Sequence, residues 1–151
     1  MDLILWRHAE AEDGPLAGDA SSDLERSLTS RGEKQAFRMA SWLDRQLPEG
    51  IRIVVSPARR CEQTALALGR KYKIRPELAP GATPAQLLEL VQWPLSKVPM
   101  LVIGHQPTLG QTISQLLGFQ ESECALQKGA LWWLRTSERD GQRPTVVLTV
   151  Q

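Results

Sequence analysis

Three short apolar runs, each halted by a polar residue or a glycine, constrain this chain more than any other feature. Leu3 to Trp6, Ile51 to Val55, which is apolar apart from Arg52, and Met100 to Ile103 are four or five residues long. Runs of that length are too short for buried helices, and lacking polar alternation they read as strands covered on both faces. Between them the period turns helical. Ala36, Phe37, Ala40, Leu43 and Leu47 recur at helical spacing after Ser30-Arg31-Gly32-Glu33, which has capping-box spacing, and Pro48 stops the run. Ser56-Pro57 reads as the N-cap and first residue of a second helix reaching about Lys71, with Cys61, Ala65 and Leu68 inward. A short strand near Ile74 follows, Thr83-Pro84 opens a third helix, and Pro107 to Leu117 form a fourth that Gly118 closes. Ala130 to Leu134 and Thr145 to Val150 read as a hairpin across Ser137 to Gly141, with Trp132 and Trp133 pointing to opposite faces and Trp42 on a helix face. Residues 9 to 27, with Gly14, Pro15 and Gly18 and no sustained period, read as a long loop.

Strands alternating with helices along the whole length predict a three-layer α/β/α sandwich. Its sheet is mixed and mostly parallel, with at least one antiparallel strand near the C-terminal end. A chain of 151 residues is the size of one domain, so residues 1–151 are expected to share a single core. A formal net charge of +1 supplies no global field for nucleic acid or an anionic membrane, and neither is expected as a partner. No stretch approaches the roughly 20 apolar residues of a membrane span, and Met1 to Trp6 is too short for a secretory core. A cytoplasmic location is the expectation. Cys61 and Cys124 lie in no CxxC or Cys/His cluster and are expected to be buried, reduced thiols.

In open α/β sheets, ligands sit beyond the carboxyl ends of the strands. Both histidines of the chain, His8 and His105, fall at such ends. Arg7 adjoins the first, and the helix after Ser56-Pro57 carries Arg59 and Arg60 in its first turns. Taken singly, a histidine after a strand is more often structural and an arginine beside it a solvated charge. Two imidazoles and two guanidiniums on one sheet edge instead match a phosphoryl group, whose oxygens suit the forked donors of arginine. A metal centre fits worse, because no matched carboxylate or thiolate set completes a ligand shell.

Leu5-Trp6-Arg7-His8-Ala9 resembles the Arg-His-Gly signature of the histidine phosphatase (phosphoglycerate mutase-like) superfamily. Three more segments match in order: Leu28-Thr29-Ser30-Arg31-Gly32-Glu33-Lys34-Gln35-Ala36, Ser56-Pro57-Ala58-Arg59-Arg60-Cys61-Glu62-Gln63-Thr64-Ala65, and Gly104-His105-Gln106-Pro107. The short length, Glu77-Leu78-Ala79-Pro80 and the lack of a long insertion are similar to the small SixA-type phosphohistidine phosphatases. The resemblance implies that His8 is the nucleophile and carries the phosphoryl group as a phosphohistidine intermediate. It implies that Arg7, Arg60 and His105 hold phosphoryl oxygens, that Arg59 faces solvent, and that no metal or organic cofactor takes part. Arg26, two residues before Leu28, would reach the phosphate from the long loop. The sequence departs from the pattern at Ser27, where relatives carry proline, and at Ala9, where alanine serves if the backbone avoids positive φ.

A general acid for an alkoxide leaving group is not evident; Glu10, Glu12 and Glu77 are the candidates, each equally readable as a solvated carboxylate. An imidazole leaves more easily than an alkoxide, so the expected substrate is a phosphohistidine on a signalling or phosphotransfer protein, such as a histidine phosphotransfer domain. The alternatives are a phosphatase of a small phosphorylated metabolite and a non-catalytic phosphohistidine-binding module.

Overall fold

A computed structural model describes residues 1–14 and 18–151. Six strands, β1 (Asp2–Arg7), β2 (Arg52–Val55), β3 (Lys73–Ile74), β4 (Met100–Gly104), β5 (Leu131–Thr136) and β6 (Thr145–Val150), form one sheet in the order β3-β2-β4-β1-β5-β6. β1, β4, β2 and β3 pair in parallel, β5 runs antiparallel to β1, and β6 antiparallel to β5. Five α-helices lie among the described residues, α1 (Ala20–Leu24), α2 (Ser30–Gln46), α3 (Arg59–Leu66), α4 (Pro84–Leu90) and α5 (Thr108–Leu117). Alternation along the strands divides the core. Ile4, Trp6, Ile53, Val55, Leu101 and Ile103 pack under α2 and α3 through Ala40, Leu43, Cys61 and Ala65. Leu3, Leu5, Val54 and Val102 face the other way, onto Leu87 of α4 and Leu109 and Ile113 of α5. This is the expected α/β/α sandwich with its mixed sheet.

The helix ends differ from expectation for identifiable reasons. α2 is capped by Thr29, not Ser30, because the Thr29 hydroxyl accepts from the Gly32 N–H at 2.9 Å. Ser56 does not cap α3: the helix begins three residues later after Ala58, and the Ser56 hydroxyl lies 2.7 Å from His105 Nε2. α3 ends at Leu66, well short of Lys71, where Leu68 and Gly69 donate into 3-10-type turns and Gly69 takes φ of 67°. Thr83 caps α4 with a complete capping box to Gln86, and Gly118 ends α5 at φ of 69°. The expected loop over residues 9 to 27 contains α1, capped by the Asp19 carboxylate accepting from Ser22 N–H; its Pro15 lies outside the described residues. Phe37 is 65% exposed despite its helical spacing, and Cys124 is only part-buried, while Cys61 is fully buried. Trp133 enters the core beneath α2 and Trp132 packs on the opposite layer. Among the described residues no helix is long and apolar enough to cross a membrane.

Candidate active site

β1 and β4 lie side by side and end level, Arg7 opposite Gly104, so the residues that follow them emerge together. The His8 N–H donates to the Gly104 carbonyl, and the Gly129 N–H donates to the His8 carbonyl, which fixes the first histidine between the end of β4 and the turn that precedes β5. His8 and His105 then face each other edge to face, ring centroids 5.3 Å apart. Arg7, Arg26 and Arg60 complete the walls of a pocket of about 280 Å³, together with Ala11, Asp13, Gln106 and Lys128. Arg59 is exposed and lines no part of it.

The hydrogen bonds determine how each imidazole presents itself. His8 Nδ1 lies 2.8 Å from the Ala9 carbonyl oxygen, which can only accept, so Nδ1 carries the hydrogen and Nε2 keeps its lone pair. His105 is turned the other way. Its Nδ1 lies 3.4 Å from the Arg60 guanidinium, a pure donor, and its Nε2 therefore donates to the Ser56 hydroxyl. Ser56 and His105 look like a nucleophile and its base, but Ser56 is fully buried, accepts from the Ala58 N–H and does not line the pocket. Its hydroxyl orients the ring. Cys61 Sγ, 3.5 Å from His105 Nε2, is equally unsuited to attack, since burial pushes its thiol up to about 12.

Burial, reinforced by the charges of Arg60, Arg7 and Arg26, pushes His8 down to about 4 against the opposing pull of the Ala9 carbonyl. His105 falls to about 3, through burial and then the Arg60 charge. Both rings are thus neutral at pH 7, and the His8 lone pair is available. The sign for stability follows from linkage: an unfolded histidine binds its proton near pH 6.5, a folded one here only near 4 or 3. The stabilisation is complete above pH 6.5 and is lost as pH falls toward 4. Lowering the pH from 7 to 5 is expected to reduce the melting temperature by on the order of 5–10 °C. A His8→Asn variant should show a visibly shallower slope over that interval, and equal slopes would show that these rings are not held neutral by the fold.

The arginines are held by carbonyls and by a carboxylate that sequence analysis missed. Arg7 donates to the Leu126 carbonyl at 2.6 Å, and Arg60 donates through NH1 to the Asp23 carbonyl at 2.8 Å and through NH2 to the Asp23 carboxylate at 3.2 Å. The other carboxylate oxygen of Asp23 lies 3.2 Å from Arg26 Nε, so one residue of α1 ties both arginines to the pocket. The three candidate acids are elsewhere. The Glu10 carboxylate accepts from the Thr29 hydroxyl, Glu77 pairs with Arg75 at 2.7 Å, and neither they nor Glu12 line the pocket, whereas Asp13 does. Ala9 fits its place in the signature, because positive φ outside glycine occurs only at Gln92 and Asp140 among the described residues. Gln35 and Gln63 are scaffold: their side-chain oxygens accept from the Glu10 and Leu28 N–H groups and hold the loop over the sheet end. No group of three or more His, Cys, Asp or Glu suited to a metal occurs among the described residues.

Fold and pocket together define an α/β protein with an arginine-lined anion site around a neutral imidazole. Residues 3–83 match the sequence model of the histidine phosphatase superfamily, branch 1. The chain is 36% identical over 126 residues to phosphohistidine phosphatase SixA of Escherichia coli, covering 77% of this chain and 74% of that protein. A structure of the protein histidine phosphatase SixA complexed with tungstate superposes with a TM-score of 0.73 at 28% identity, covering all of this chain and 96% of the other. The SixA structure described as a putative phosphohistidine phosphatase from Nakamurella multipartitia gives 0.78 at 28% identity, covering 99% and 94%. The chain belongs to the histidine phosphatase superfamily.

Proposed function

We propose that this protein is a phosphohistidine phosphatase acting on a histidine-phosphorylated signalling or phosphotransfer protein through a phosphoryl intermediate on His8. The observation that carries the reading is the neutral His8 ring, its Nδ1 hydrogen bonded to the Ala9 carbonyl and its Nε2 lone pair free within a pocket walled by Arg7, Arg26, Arg60 and His105. Nε2 attacks phosphorus as the P–N bond to the substrate imidazole breaks, and that imidazole leaves after taking up a proton. Water then attacks phosphorus, loses its proton, and releases inorganic phosphate with His8 restored. The guanidiniums of Arg7 and Arg60, already held by backbone carbonyls, meet the charge on the equatorial oxygens as the Asp23 carboxylate gives way at Arg60. A phosphoryl oxygen arriving beside Arg60 also favours protonation of His105, turning its Nδ1 from acceptor to donor. Similarity to phosphohistidine phosphatases supports the same substrate class.

The test compares kcat/KM for phosphate release from a histidine-phosphorylated phosphotransfer domain and from O-phosphoserine, an alkyl ester, both with a chelator present. A preference of at least about 10²-fold for the phosphohistidine is expected, because a protonated imidazole leaves more readily than an alkoxide. Higher efficiency on the ester would move the assignment to small phosphorylated metabolites. Binding of the phosphorylated domain without turnover of either substrate would make the protein a binding module.

A further inference from the structure

A second concave region lies along the outer edge of β2, away from the catalytic pocket. It measures about 820 Å³, against about 280 Å³ for the catalytic pocket. Arg52, Arg70, Lys71, Lys73 and Arg75 line it, and no carboxylate does. Asp44 pairs with Arg70 and Glu77 with Arg75, whereas Arg52, Lys71 and Lys73 form no ion pair among the described residues. In a chain whose formal net charge is +1, this is a concentrated positive field.

The backbone there is also incomplete as a sheet. Arg52 and Ser56 direct their N–H groups to Pro99 and Ile103, on the β4 side, so by alternation Ile53 and Val55 direct theirs outward. β3 pairs only with Val54 and Val55. The stretch from Ile51 to Ile53, paired with β4 on its inner side, therefore has no strand on its outer side, and the groove occupies that place, floored by Val91 and Met100. A vacant strand position offers ladder hydrogen bonds to an extended chain, and cations on its rim select the charge of that chain.

We infer that this groove binds an extended acidic segment of a partner protein, which adds to the free edge of β2 and sets its carboxylates against Arg52, Lys71 and Lys73. The proposal is independent of the chemistry at His8. The probe is a fluorescein-labelled ten-residue peptide alternating Glu and Val, followed by anisotropy with the full chain. The double variant Lys71→Glu/Lys73→Glu, both exposed side chains, is expected to weaken binding about tenfold or more. Arg52→Glu, on the strand itself, should act in the same direction and guards against a local defect near β3. Bound peptide should slow amide exchange at Ile53 in the intact protein. The proposal fails if the charge reversals leave affinity unchanged, if an alternating Lys and Val peptide binds as well, or if Ile53 exchange is unaltered by saturating peptide. Tighter binding of a ten-nucleotide single-stranded RNA through the same three cations would overturn it in favour of a nucleic-acid surface.

Discussion

Phosphate release from a histidine-phosphorylated phosphotransfer domain is expected to fall at least about 10³-fold when His8 is replaced by alanine, with the folded structure retained. The size of the loss follows from the geometry. His8 is the pocket imidazole whose free nitrogen points away from its anchoring carbonyl, and the alternatives are disabled: Ser56 is buried behind His105, and the Cys61 thiol is pushed up to about 12. Arg7, Arg60 and His105 would remain in His8→Ala, so substrate affinity should change far less than turnover. The intact protein, quenched during turnover, should carry a phosphoryl group on His8 that is labile in acid and stable in alkali, as expected of a phosphoramidate. Undiminished release by His8→Ala, or a phosphoryl group stable to acid, would remove His8 from the chemistry.

Gly32→Ala is expected to cost about 3 kcal/mol or more, lowering the melting temperature by roughly 10 °C. A Cβ at this position would lie 1.9 Å from the Glu10 carbonyl oxygen and 2.9 Å from its carbon. Neither contact belongs to a side chain that could swing aside. The Glu10 carbonyl also accepts the Thr29 N–H, and its N–H is held by Gln35, so the segment just after His8 is pinned to the start of α2. Moving it apart should loosen His8 as well, and activity of the folded fraction should fall with stability. Arg31→Ala, one residue away on the exposed side of α2, serves as the control and should melt within about 2 °C of the parent. A Gly32→Ala protein that melted with this control would show that the approach of α2 to the strand end is not tight.

The layers of the fold were readable because buried strands leave a local signature, a nearly unbroken apolar run, and α2, α4 and α5 carry their own punctuation at Pro48, Thr83 and Gly118 respectively. Ends governed by distant partners were not. Ser56 has every local mark of an N-cap, yet its hydroxyl is claimed by His105, 49 positions later. Phe37 follows the period of α2 and faces solvent because no described residue covers that side of the helix. At the candidate site, strand ends made His8 and His105 conspicuous, and the motif spacing separated Arg60 from Arg59 where composition could not. Asp23 escaped notice since its partner lies 37 residues away and its helix has five residues without an apolar stripe. Asp13 was overlooked beside Glu10 and Glu12, though only the structure tells which carboxylate reaches the pocket.

The contact between Asp23 and Arg60 bears on how an anion enters. Arg60 is withdrawn from water when the chain folds, its side chain only 4% exposed, so the cost of stripping that guanidinium is met before any substrate arrives. The half-exposed Asp23 carboxylate occupies the role that a phosphoryl oxygen would take, much as a leaving ligand occupies a metal's coordination sphere. Association then becomes an exchange of one anion for another at Arg60, within a pocket that Arg7, Arg26 and Lys128 keep positively charged, and chloride or sulfate in the medium meets a competitor already in place.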